Sequence, residues 1–438
     1  MTPSLNPMAT ALSTEWKVPG VSLRDVTMHV PLDHDDHASP ALQLFARIAT
    51  GPGGEHKPYL VFLQGGPGSE APRPLDASTP AWLSRALRDH QVVLLDQRGT
   101  GRSSPVGLDV ALPQGAIEGV ETLRQATAEQ QAHYLTHFRA DAIARDAELL
   151  RERLGAETWT LLGQSFGGFV TLRCLTAHAD SVHTALFTGG LPVVGPHLDD
   201  VYATTWEGMV ARSERFFARF PADRDRMRRL ADRAEAGDLR LPDGQRVGVE
   251  RLRRLGHLLG ASQGAERLHL LLDLDPDSPA FAHDLAAALP FSGRNPLYSV
   301  IHESCWADGM ATRWAAERTM PQAVREDPTL LAGEHVHREL FTEDPQLAPW
   351  AEAAEILAEH QWPRLYDEVA LRGADVPGAA AVYYDDAYVP RERSMATAAL
   401  LPRVRTWVTS EYEHNGLRAS GEHVLDHLLD LAAGRRAA

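Results

Sequence analysis

Three short apolar runs, each closing in a glycine-rich turn, constrain this chain more than any other feature. Residues 59–63 (Tyr-Leu-Val-Phe-Leu) run into Gln64-Gly65-Gly66-Pro67-Gly68. Residues 91–95 run into Asp96-Gln97-Arg98-Gly99-Thr100-Gly101-Arg102-Ser103. Residues 159–162 run into Gly163-Gln164-Ser165-Phe166-Gly167-Gly168. A helical pattern at 140–154 precedes the third, and a fourth apolar run occupies 184–190. Strands that are apolar throughout are covered on both faces. Alternated with helices, they predict a mostly parallel, doubly wound α/β sheet with its functional loops at the carboxyl ends of the strands.

Two further strands are expected before these, at 25–31 and 42–48, separated by Asp33-His34-Asp35-Asp36-His37. That stretch has metal-ligand residue types. A solvated hairpin loop accounts for it better, because no distant cluster completes a site, so no metal is expected.

After about residue 196 the texture changes. Through about residue 371 the chain is rich in Arg, Glu, Asp, Ala and Leu at helical spacing, as at 223–235 and 351–360. Strand character returns at 378–384 and 404–408, and a last helix is expected over 421–433. The expected organisation is a core at 1–195, an inserted helical cap at 196–371, and the rest of the core at 372–438.

Within that frame Gly163-x-Ser165-x-Gly167 has the form of a nucleophile elbow. A serine there sits on a sharp strand-to-helix turn that presents its hydroxyl above the sheet, and small residues two positions either side avoid a backbone clash. A serine nucleophile needs a base and a carboxylate to orient it, following in the order Ser, Asp or Glu, His. His414 follows the strand at 404–408 and is the expected base. His423, within the last helix, is the reserve. The carboxylate should follow the strand at 378–384, where Asp385 and Asp386 stand together. Asp386 is preferred because it lies four before Pro390, which can open a helix. Two backbone N–H donors are required for the oxyanion, and Gly66 and Phe166 are the candidates. The Asp96–Ser103 segment is read as structural, a glycine turn braced by an Asp–Arg interaction.

These ordered motifs resemble the proline iminopeptidase (prolyl aminopeptidase) family of α/β hydrolases, over about 60–190 and 382–431. One departure is Gln64, where the family usually has His before Gly-Gly-Pro-Gly. The resemblance implies release of an N-terminal proline from short peptides, through an acyl-enzyme and with no metal or organic cofactor. It also implies a cap glutamate that binds the substrate's free N-terminus. Glu303 is the first candidate, from the polar, aromatic-containing stretch His302–Asp308, and Glu70, just after the oxyanion loop, is the second. An esterase or lactonase on the same machinery, or a non-catalytic binding protein, is the alternative.

The charge balance of 43 Lys and Arg against 59 Asp and Glu gives a formal net charge of −16, which disfavours nucleic acid and anionic membranes as partners. With two cysteines, no signal-peptide pattern and no membrane-length apolar run, a cytoplasmic location is expected.

Overall fold

The computed structural model describes residues 14–290 and 293–437. Nine strands form one sheet: β1 Glu15–Val18, β2 Val21–Pro31, β3 Ala41–Thr50, β4 Tyr59–Leu63, β5 Gln91–Asp96, β6 Trp159–Gln164, β7 Val182–Thr188, β8 Gly378–Tyr383 and β9 Val404–Thr409. Their spatial order is β1-β2-β3-β5-β4-β6-β7-β8-β9. β1, β2, β3 and β5 pair antiparallel, and every pair from β5 to β9 is parallel. The protein has a mostly parallel sheet with helices on both faces.

The period of two in the strands explains the two layers. Val61 and Leu63 of β4 join Val93, Leu95, Leu161 and Phe187 in one core, with the helices Ala140–Arg153 and Phe166–Ala177. Leu60 and Phe62 point the other way, joining Val92, Leu94, Leu162 and Leu186 in a second core, with the helices Leu83–Asp89 and His423–Ala432. β9 is the edge, and there the pattern relaxes: Val408 is exposed while Thr409 is buried.

Between β7 and β8 the elements are helical, among them Leu198–Arg219, Ala222–Glu235, Gly264–Leu272, Pro296–Trp306 and Ala351–Glu359. Their buried side chains, including Met209, Leu230, Leu268 and Trp350, extend the first core without a break.

Two early loops differ from expectation. Asp96 does not pair with Arg98; its carboxylate accepts the backbone amides of Ala71 (3.1 Å) and Arg102 (2.9 Å). Arg98 reaches Asp146 on the helix Ala140–Arg153 instead, at 2.7 and 2.6 Å, with neither side chain exposed. It also donates to the carbonyls of Pro31, Leu32 and His137. A buried guanidinium is tolerated only when its donors are satisfied in this way. His34 joins the cluster, 2.9 Å from Asp146, so the stretch 33–37 is anchored rather than simply solvated.

Candidate active site

Ser165 follows β6 directly and precedes the helix Phe166–Ala177 with φ 54° and ψ −126°. A non-glycine residue in the left-handed half of the map is strained and persists only where its surroundings fix it. Here its amide donates to the Thr188 carbonyl (3.1 Å), and its carbonyl accepts from Gly168 (2.7 Å). A Cβ at Gly167 would stand 1.8 Å from the Leu63 carbonyl oxygen, and one at Gly65 would stand 2.8 Å from the Ser165 Cβ. Only glycine allows the elbow and the Gly65–Gly66 loop to come this close.

His414 lies beyond β9 and Asp386 beyond β8, and the parallel register brings both loops to the same end of the sheet as the elbow. His414 Nδ1 stands 2.8 Å from Asp386 Oδ2 and 3.0 Å from Oδ1. The Tyr388 and Val389 amides donate to Asp386 Oδ1 at 2.9 and 3.0 Å, which fixes the carboxylate's orientation. Asp385 is exposed and faces Arg215 at 3.6 Å. Burial by itself would lower the His414 pKa, but the charge and hydrogen bond of Asp386, with the charge of Glu334, outweigh it and raise the pKa above its ordinary value. Its other nitrogen, Nε2, is buried without a hydrogen-bond partner. His423 opens the last helix on the surface, against Trp407.

Ser165 and His414 line one cavity of about 390 Å³, which Gly65 and Gly66 border from the β4 loop. Gln64, also on its wall, has its carbonyl held by Gln97 Nε2 at 2.8 Å. Phe166 is buried beside Phe169, and its amide, at the first position of its helix, has no intrahelical acceptor. His257 and Glu334 enter the cavity from the helical segment. Tyr388 packs between the two histidines, with its ring 5.3 Å from His257 and 4.9 Å from His414.

Residues 58–235 match the model of the alpha/beta hydrolase fold family. A proline iminopeptidase of Aeromonas sobria is 42% identical over 92% of this chain and 94% of its own length. The chain belongs to the proline iminopeptidase family. A second relative, the proline iminopeptidase aneH of Aspergillus aculeatus, is 27% identical over 93% of this chain and 92% of its own. A solved serine hydrolase from Cycloclasticus zankles covers 92% of this chain and 96% of its own at 13% identity, with a TM-score of 0.41 too low to bear on the site. Covering 92% of the chain, the Aeromonas likeness extends well beyond 58–235 and into the helical segment.

In this family member neither expected glutamate is on the cavity wall. Glu303 lies in the buried helix Pro296–Trp306 and accepts the backbone amides of Ala315 (3.0 Å) and Ala316 (2.8 Å). It ties two parts of the helical segment together. Burial pushes its pKa to about 7 against the opposing effect of those amides. Glu70 is paired with Arg294 at 2.6 Å. The carboxylate on the wall is Glu334, half-buried, in the coil before the helix Arg338–Glu343. Burial raises its pKa to about 7, while the charge of His414 and a hydrogen bond with Tyr298 pull the other way. A lone glutamate in the run Leu330-Leu331-Ala332-Gly333-Glu334-His335-Val336 is the one signal the sequence offers for it.

No helix among the described residues is long and apolar enough to cross a membrane.

Proposed function

We propose that this chain is a serine aminopeptidase that releases N-terminal proline from short peptides. The observation that carries the reading is that the cavity holding Ser165 and His414 also presents a carboxylate, Glu334. An aminopeptidase must tell a chain end from a mid-chain bond, and the charge on the terminal amine is the available distinction. A partly buried carboxylate binds that charge more strongly than one in open solvent. Glu334 takes the role that the sequence assigned to Glu303 or Glu70, because both of those carboxylates are occupied elsewhere.

The chemistry follows from the residues in place. Ser165 Oγ attacks the prolyl carbonyl as His414 Nε2 takes its proton, and Asp386 holds the imidazole in the required tautomer. The amides of Gly66 and Phe166 hold the oxyanion. The C–N bond then breaks as His414 returns the proton to the leaving amine, which leaves a prolyl ester on Ser165. Water, activated by the same histidine, releases proline.

The helices between β7 and β8 act as a cap. His257 and Glu334 from this segment share the cavity wall with Ser165, an arrangement that limits water and admits small substrates. The location in keeping with two buried free thiols, Cys174 and Cys305, is the cytoplasm.

Turnover of proline 4-nitroanilide, with and without Ser165→Ala, tests the reading. The unmodified enzyme should hydrolyse it, and the variant should lose on the order of a millionfold in kcat. Turnover confined to simple esters would instead make the protein an esterase on the same machinery.

A further inference from the structure

Two arginines on the wall of the catalytic cavity have no part in the chemistry above. Arg267 comes from the helix Gly264–Leu272, and Arg418 from the short helix Gly416–Ala419 that follows His414. Both side chains are exposed, in contrast to Ser165, His414 and Glu334, so they stand at the open end of the cavity. Among the described residues neither makes a side-chain hydrogen bond or an ion pair. The carboxylates beside them in sequence are already taken: Glu266 by Arg219 at 2.6 Å and Glu413 by Arg212 at 2.8 Å. In a chain with 59 acidic residues to 43 basic ones, two arginines without counter-ions on one cavity wall call for a ligand.

We propose that Arg267 and Arg418 form a carboxylate-binding site at the mouth of the cavity, which reads the free C-terminus of di- and tripeptide substrates. The cavity then matches a zwitterion. The terminal amine lies inward at Glu334, the scissile carbonyl lies at Ser165, and the terminal carboxylate lies outward at the arginines. Guanidinium groups suit this task because their planar donor forks match a carboxylate. The cavity volume of about 390 Å³ is small for a ligand site, as a short substrate requires. This inference rests on the aminopeptidase reading and narrows it from peptides in general to peptides short enough to bring both termini into one cavity.

The test compares kcat/KM for Pro-Gly with Pro-Gly amide, and for Pro-Gly-Gly with its amide, in the unmodified enzyme and in Arg267→Gln, Arg418→Gln and the double variant. The free acid should be preferred in at least one pair by on the order of tenfold or more, the usual size of a charge-assisted contact. The double variant should bring that ratio to about one. Because the readout is a ratio within each protein, loss of folded enzyme cancels. Equal rates for acid and amide in the unmodified enzyme overturn the proposal, as does a preference that survives the double variant. Failure to release proline from any of the four peptides or from proline 4-nitroanilide would reject the aminopeptidase reading itself. Turnover of the anilide with indifference to the carboxylate rejects only the arginine site.

Discussion

Glu334 and His414 line the same cavity, and each favours the charged form of the other: the carboxylate raises the imidazole pKa, and the imidazolium lowers that of the carboxylate. Both groups have a required state. His414 must be neutral to accept the Ser165 proton, so activity is lost as pH falls through its raised pKa, which lies above the ordinary 6.5. Glu334 must be ionised to hold an ammonium, so binding is lost as pH falls through a pKa of about 7. Both losses fall on the acid side. A plot of log kcat/KM against pH with proline 4-nitroanilide should steepen below neutrality toward a slope of two, with macroscopic pKa values that belong to the pair. Glu334→Gln should lower kcat/KM and leave a slope of one. A slope of one in the unmodified enzyme would remove Glu334 from substrate binding.

Asp386 and Asp385 are adjacent, but only the first faces His414. Asp386→Asn should cut kcat by about 10⁴-fold, because the Tyr388 and Val389 amides hold the remaining oxygen and turn the new NH2 donor toward Nδ1, which favours the wrong tautomer. Asp385→Asn, at an exposed position, should stay within about twofold of the unmodified enzyme, in line with the small effects of surface changes. Steady-state kinetics of the two variants checks this, and the reverse pattern would exchange the two roles.

Glu303 should matter to stability rather than to specificity. Glu303→Ala leaves the amides of Ala315 and Ala316 without an acceptor. Each buried, unsatisfied amide costs about 1–3 kcal/mol. Denaturant unfolding should show a loss of that order. The ratio of kcat/KM for free to N-acetylated proline anilide should not move, whereas Glu334→Gln should reduce it.

Legibility in the sequence followed the range of the interactions involved. β4 was readable to the residue, because an apolar run and a Gly-Gly-Pro turn mark both its ends. The elbow was readable because its glycines answer to contacts such as Gly167 against Leu63, which sit at a fixed place in the strand–turn–helix unit. His414 and Asp386 follow strands whose own patterns are clear. The environment of Glu303 is not legible, because its partners lie twelve and thirteen residues downstream in another element, and nothing near it in sequence announces them. Its neighbours His302 and Trp306 looked like a polar site, yet they belong to a helix buried on every side. The partner of Arg98 is hidden for the same reason: Asp146 is 48 residues away on a helix. Glu334 sits in coil, where no period assigns a face.

Recognition of a free, charged N-terminal proline by Glu334 in the catalytic cavity is the step on which the proposed function depends. The most direct measurement is the ratio of kcat/KM for proline 4-nitroanilide to that for its N-acetyl derivative, which differs by the charge and one small group. The free amine should be preferred on the order of a hundredfold or more, the scale for leaving a buried charge unpaired. Comparable rates for the two substrates would contradict it.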